Sequence, residues 1–220
     1  MTLEQFFAEN REVAVAFSGG VDSAYLLYAA TRYAARVKAY YVSTAFQPEF
    51  ELEDARRLAN ELGADMQVLH VDVLMSGAVT ANPSDRCYLC KMGLLQAVID
   101  AANECGVETV VEGSNVDDEG DYRPGSRAIA ELGVFSPLKD AGLTKRDIRE
   151  LSRDRGLPIW DKPSFACLAT RFAFGTCLSE EHLAMIDAAE QFLLDQGFHQ
   201  VRVRYHGPMA RVEVRADEVE

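Results

Sequence analysis

Val-Ala-Val-Ala-Phe-Ser-Gly-Gly-Val-Asp-Ser, residues 13–23, is a short apolar run that breaks into a glycine pair and then opens a helical pattern. That order suits a phosphate. Gly19 and Gly20 open backbone conformations that side chains would forbid, so successive N–H groups can converge on an anion with no Cβ in the way. The helix expected from about Asp22 to Ala35 aims its positive end at the same point. Ser18 and Ser23 add hydroxyl donors, and Asp22 is placed either to cap the helix or to orient a metal or a bound water. No lysine follows the glycines. A Walker-type loop needs Gly-Lys-Ser/Thr to hold the β and γ phosphates, so terminal phosphoryl transfer is disfavoured.

Outward from the loop, strand and helix patterns alternate. Val37–Ser43 reads as a second buried strand, Glu49–Leu62 as a helix stopped by Gly63, and Met66–Val71 as a third strand. A helix is expected from the Arg86-Cys87 region to about Cys105, then a fourth strand over Val107–Val111. This alternation predicts a doubly wound parallel α/β sheet, with ligands at the carboxyl ends of its strands, where the glycine loop lies. Thr2–Asn10 reads as a short amphipathic helix, and Asp72–Asp85 as a loop near the ligand-binding rim. The polar stretch between Asn115 and Gly125 reads as part of that rim or as a solvated acidic loop. Thr144 caps a helix to Arg155, with Asp147 at its third position.

The irregular stretch Trp160–Gly175 marks the expected boundary between a first domain, 1–160, and a small α+β C-terminal region, 161–220. The latter is read as a helix from Ser179 to about Gln196 followed by a hairpin of Gln200–Tyr205 and Ala210–Arg215. Strand alternation puts Arg202 and Arg204 on the face opposite Val201 and Val203.

With 22 basic and 35 acidic residues in 220, the net charge is −13, which argues against a broad footprint for tRNA or DNA. A local arginine cluster can still hold a small anion. No apolar run approaches the roughly 20 residues of a spanning helix, and the N-terminus lacks a basic signal region, so a cytoplasmic protein with no membrane partner is expected. Five cysteines without an export signal favour metal or thiol chemistry over a disulfide framework.

Ser-Gly-Gly-Val-Asp-Ser, residues 18–23, resembles the pyrophosphate loop of the N-type ATP pyrophosphatases (the PP-loop superfamily), which implies cleavage of ATP to AMP and pyrophosphate. Five further blocks narrow the resemblance. They are Arg-Cys-Tyr-Leu-Cys-Lys at 86–91, Glu-Gly-Ser-Asn-Val-Asp-Asp at 112–118, Asp-Tyr-Arg-Pro-Gly at 121–125, Pro-Ser-Phe-Ala-Cys-Leu-Ala-Thr-Arg at 163–171 and Val-Arg-Val-Arg-Tyr-His at 201–206. Together they resemble the LarE family of ATP-dependent sulfur transferases. The resemblance implies adenylation of a carboxylate of pyridinium-3,5-biscarboxylate mononucleotide and replacement of its oxygen by sulfur, in biosynthesis of the nickel-pincer nucleotide cofactor. It implies ATP, Mg2+, a nucleotide substrate, a sulfide source and a homo-oligomer. Ser18, Gly19, Gly20, Asp22 and Ser23 would bind ATP, with Asp22 and Cys167 catalytic.

One form of the family gives up the sulfur of a single cysteine in its Ala-Cys-Leu-Ala stretch; the other resembles this chain in having Cys-x-x-Cys as well. The second form implies a 4Fe-4S cluster held by Cys87, Cys90 and Cys167, with Cys167 as a sacrificial donor left open. Cys87 and Cys90 would also suit zinc, but only two of four usual ligands are local. Arg171, Arg202 and Arg204 are candidates for the substrate's phosphate, because guanidinium forks match phosphate oxygens; the alternative is a solvated basic strand face. Two other readings are a tRNA thiolase, disfavoured by charge, and a module that senses ATP without turnover.

Overall fold

The computed structural model describes residues 1–119, 124–163 and 165–219. Within the motif blocks, Asp121–Arg123 and Ser164 lie outside the described residues, and with them part of the rim expected between Asn115 and Gly125. The chain divides into two compact units. One comprises 1–43, 50–71 and 87–162; the other comprises 44–49, 72–86 and the described residues from 163 onward.

The first unit carries helix α1 (Leu3–Glu9), strand β1 (Glu12–Ala16), α2 (Val21–Tyr33), β2 (Arg36–Ser43), most of α3 (Glu49–Glu61) and β3 (Met66–His70). After a short α4 (Gly77–Thr80) in the other unit come α5 (Arg86–Glu104), β4 (Thr109–Val111), α6 (Pro124–Glu131), α7 (Pro137–Asp140) and α8 (Lys145–Asp154). Among the described residues the strands form a four-stranded parallel sheet in the order β3-β2-β1-β4. The chain leaves β1 toward β2 and β3 and returns to β1's other side as β4, so the order reverses at β1, the position where α/β sheets open a ligand crevice.

Both faces of the sheet are covered, as the doubly wound reading requires. Val13, Val15, Ala39 and Tyr41 pack with Leu26 and Leu27 of α2, Leu58 of α3 and Ile148 of α8. Ala14, Tyr40 and Val110, pointing the other way, pack with Leu95, Val98 and Ala102 of α5 and Ile129 of α6. Period-two alternation along β1 therefore assigns successive residues to two separate cores, which is why the strand reads as continuously apolar.

Caps set the helix limits. Thr2 and Gln5 form a capping box on α1, Thr144 and Asp147 another on α8. Phe135 extends the sheet by an isolated parallel bridge to Val111. The fourth strand begins two residues later than its apolar run suggests, because Val107 bonds back to Ala102 at the end of α5.

The second unit is built on α9 (Glu180–Asp195), capped by Ser179, and the antiparallel pair β5 (Arg202–His206) and β6 (Met209–Glu213). Leu183 and Ile186 of α9 are buried, as are Val201 and Val203, while Arg202 is exposed and Arg204 half-buried. Residues 72–86 are more ordered than a plain loop: Asp72 caps a 3-10 turn over Val73–Met75 before α4. Among the described residues no helix is long and apolar enough to cross a membrane.

Candidate active site

The glycine loop joins β1 to α2 at the carboxyl end of β1. Gly19 has φ +73°, and a Cβ there would stand 3.1 Å from the Cβ of Ala55 on α3. Both conformation and space demand glycine. Gly20 differs from expectation: at φ −81° and ψ 163° it adopts ordinary extended backbone and serves as the N-cap of α2 without any side-chain cap. The loop braces itself through its serines. Ser23 Oγ accepts from the Ser18 N–H at 3.2 Å and donates to the Gly20 carbonyl at 3.1 Å, and the two serine hydroxyls lie 3.1 Å apart.

Asp22 sits in the first turn of α2 without capping it. One carboxylate oxygen accepts from Lys145 Nζ at 2.5 Å, while the other is buried and has no hydrogen-bond partner. Burial pushes this carboxyl above its ordinary value, against the opposing pull of the Lys145 hydrogen bond and charge. An orphaned, anionic oxygen beside an anion-binding loop fits a divalent cation, an oxygen-liganded ion such as Mg2+. Lys145 is the first residue of α8, and its own N–H donates to Asp117 at 2.8 Å. A lysine distant in the chain thus stands beside the loop, although the loop itself has none.

Gly113, just past β4, closely approaches the loop's helix. A Cβ on it would stand 2.9 Å from Ser23 N and 3.1 Å from Ser23 Cα. Its neighbour Glu112 is buried and accepts four hydrogen bonds: from Ser114 N and Oγ, each at 2.9 Å, from Ser136 Oγ at 2.7 Å, and from Lys91 Nζ at 3.3 Å. Burial alone would raise this carboxyl, but the Lys91 cation and the serine donors outweigh it and hold the group below its ordinary value. Lys91 follows Cys90 directly, so the helix bearing the cysteine pair is tied to the rim of β4.

A carboxyl whose pKa is lowered on folding adds stability that is present above its unfolded value and lost as pH falls through the lowered one. Glu112→Gln should therefore cost about 1.5–3 kcal/mol at neutral pH, the range for a hydrogen bond to a charged group, and progressively less in acid. Denaturant unfolding of both proteins across the acid range checks this; a difference independent of pH would contradict it.

Cys87 and Cys90 lie three residues apart in the first turns of α5, one exposed and one half-buried. That spacing puts them on one helix face. None of the five cysteines is in a disulfide. Cys167 belongs to the second unit, half-buried, at the start of a 3-10 turn over Leu168–Arg171. Thr170 closes that turn, its N–H and Oγ donating to the Cys167 carbonyl at 2.9 and 2.7 Å. The turn is pinned by Arg86, buried within the second unit, which donates to the Ala169 carbonyl at 3.0 Å and also bonds Asn82. Arg86 precedes Cys87 in the chain, and its role was not legible from the sequence. Among the described residues no three His, Cys, Asp or Glu side chains are gathered as for a metal ion. The Cys87–Cys90 pair fits half of a four-thiolate site.

The three arginines separate. Arg171 is 2% exposed, its guanidinium gripping Glu190 by two bonds of 2.7 and 2.8 Å and donating also to the Ala166 carbonyl and Thr170 Oγ. Glu190 in turn accepts from Val203 N at 2.7 Å. Arg171 is thus a strut between α9, β5 and the Cys167 turn rather than a free phosphate fork. Arg204 bonds Glu213 at 2.7 Å and the Thr170 carbonyl at 3.2 Å; Arg204, with Arg211, draws the Glu213 carboxyl down to about 2. The Arg202 side chain makes no hydrogen bond or ion pair among the described residues. It lines a cavity of about 280 Å3 with Phe165, Ala166, Arg171, Glu213 and Arg215, all in the second unit.

Comparison with known proteins places this arrangement. The asparagine synthase family matches residues 4–86, the part that contains the glycine loop. An uncharacterized protein of Synechocystis is 37% identical over 99% of this chain and 82% of its own length. The pyridinium-3,5-bisthiocarboxylic acid mononucleotide synthase of Lactiplantibacillus plantarum is 36% identical over 97% of this chain and 78% of its own. An uncharacterized protein of Methanocaldococcus jannaschii is 30% identical over 95% of this chain and 80% of its own. With a lysine-free glycine loop at the reversal point of a doubly wound sheet and relatives aligned along almost its whole length, the chain belongs to the LarE family of ATP-dependent sulfur transferases, on the PP-loop fold.

Proposed function

We propose that this protein adenylates a carboxylate of pyridinium-3,5-biscarboxylate mononucleotide and replaces the carboxylate oxygen with sulfur, a step in making the nickel-pincer nucleotide cofactor. The observation that carries the reading is the loop at Gly19 with Asp22 and Lys145 beside it, in a chain aligned along nearly its whole length with a synthase of the corresponding bisthiocarboxylate. Backbone N–H groups of the glycine loop and the first turn of α2 would hold the β and γ phosphates as a leaving group. The free oxygen of Asp22 would hold Mg2+, whose charge offsets that of the phosphates. Lys145 is at hand for the charge that develops when a carboxylate oxygen attacks the α phosphorus and pyrophosphate departs. The acyl adenylate then loses AMP to a sulfur nucleophile, which takes its place on the carbonyl carbon.

For the sulfur we propose Cys87, Cys90 and Cys167 as three thiolates for a 4Fe-4S cluster, supplied by a sulfide source. The chemistry such a cluster offers is an exchangeable sulfide on an iron without a protein ligand. What supports it is the spacing that puts Cys87 and Cys90 on one helix face, one exposed and one half-buried, with none of the three sulfurs in a disulfide.

Arg202 is the candidate for the substrate phosphate, being the uncommitted one of the three arginines and a wall of the cavity. Arg202→Ala should weaken binding of the pyridinium nucleotide by about 1.5–3 kcal/mol. Calorimetric titration giving the parent's affinity would remove Arg202 from the site. The function itself is tested by product analysis: AMP and pyrophosphate should form on adding the pyridinium nucleotide and none on adding tRNA. ADP with orthophosphate, or a response to tRNA alone, would reject the reading.

A further inference from the structure

Lys145, Arg149 and Arg153 recur every four residues along α8, so they share one face of the helix. Each has a specific partner. Lys145 holds Asp22 at the glycine loop; Arg149 donates from its two terminal nitrogens to the carbonyls of Trp160 and Lys162, at 2.7 and 2.9 Å; Arg153 lies over the Trp160 ring at 5.9 Å. The same short segment is tied on its other side, because Lys162 Nζ pairs with Asp54 of α3 at 2.9 Å. Asp54 precedes Ala55, the residue against which Gly19 is packed. Both anchors of residues 160–162 are therefore on helices that also touch the phosphate loop, and the whole arrangement lies within the first unit. The segment runs on, five residues later, to Cys167.

We propose that Arg149 is a positioning residue, and that Trp160–Lys162 is a clasp through which occupation of the phosphate loop sets the segment leading to Cys167. The inference rests on the reading of the loop as a triphosphate site. An anion and its cation arriving there compete for Asp22 and Lys145, and any shift of Lys145 moves the start of α8, whose next turn carries Arg149. Packed side chains and a rigid helix are the kind of contiguous element that can hold two arrangements. In functional terms the clasp would let sulfur delivery follow nucleotide binding.

Trp160 is the chain's single tryptophan, which makes the native protein its own reporter. The experiment titrates the full chain with the magnesium complex of α,β-methylene-ATP, and separately with magnesium tripolyphosphate, following Trp160 emission and binding heat together. Both ligands should shift the emission, saturating at the affinity read by calorimetry. Arg149→Ala should keep that affinity within about twofold, less than 0.5 kcal/mol, while losing the emission response. Pyrophosphate release by the variant should stay within the same margin while sulfur insertion falls by roughly tenfold or more, as small misplacements do. Should Arg149→Ala not fold, Asp54→Asn removes the other anchor and is expected to give the same loss. Binding heat without an emission change in the parent overturns the clasp and leaves the proposed function standing. So does a change produced by the ATP analogue and not by tripolyphosphate, which would mark contact with the adenine ring. A variant that retains the full response, or one that slows both half-reactions equally, also overturns it. Absence of binding heat with either ligand overturns the proposed function and the clasp with it.

Discussion

Asp22→Ala should reduce formation of AMP and pyrophosphate by about a hundred- to a thousandfold, the range seen when one preorganised electrostatic group is removed from a reaction centre. The expectation follows from the two oxygens of this carboxylate. One is committed to Lys145, and the other is buried without a partner next to a loop built for phosphate. Removing the side chain takes away the oxygen proposed for a cation and releases Lys145, which is a third exposed and can turn to solvent. The effect should fall on turnover, with the unfolding midpoint little changed. Asp22→Asn is the sharper variant, because it keeps the shape and removes the charge. Near-parental pyrophosphate release by both would place the cation elsewhere and return Asp22 to a local role at the helix start.

Arg171→Ala should unfold at markedly lower denaturant, at a cost of about 3–5 kcal/mol, the range for breaking one side of a buried ion pair. Glu190 would be left buried, with only the Val203 N–H among its present bonds. The Ala166 carbonyl and Thr170 hydroxyl, on either side of Cys167, would lose their donor at the same time. Joint replacement of Arg171 and Glu190 by apolar residues of similar volume should restore much of the loss, since desolvating the pair offsets much of its attraction. The opposite outcome is as informative: a variant of parental stability that fails to bind the pyridinium nucleotide would make Arg171 a substrate ligand and not a strut.

These two residues mark where the sequence is legible and where it is not. The glycine loop, the strands beside it and the alternation of Arg202 and Arg204 with buried valines are local patterns, fixed by periods of two and 3.6 residues. The capping box at Thr144 is local too. Lys145 is not: its ammonium reaches a carboxylate 123 residues away in the chain, and only the fold brings them together. Gly113 reads as a turn glycine, whereas its requirement comes from the backbone of Ser23 at 2.9 Å. The first glycine of the loop uses its freedom and the second does not, because the N-cap of a helix is ordinary extended backbone. Arg171 lies on a 3-10 turn outside any periodicity, so no pattern could tell a committed guanidinium from a free one. The helix α6 was hidden by its Pro-Gly-Ser opening, although Ala128 and Ile129 are buried.

In the proposed reaction a carboxylate oxygen leaves on AMP and sulfur takes its place. The most direct measurement supplies the pyridinium nucleotide with its carboxylates labelled by a heavy oxygen isotope, together with ATP and sulfide, and takes mass spectra of AMP, of the pyridinium product and of the protein. The heavy oxygen should appear in AMP, in step with an oxygen-for-sulfur exchange in the pyridinium product, and Cys167 should keep its sulfur through repeated turnovers. Unlabelled AMP beside an unchanged pyridinium nucleotide would rule out adenylation of the carboxylate. Labelled AMP with Cys167 converted to dehydroalanine would leave the adenylation standing and replace the cluster by a sacrificial cysteine.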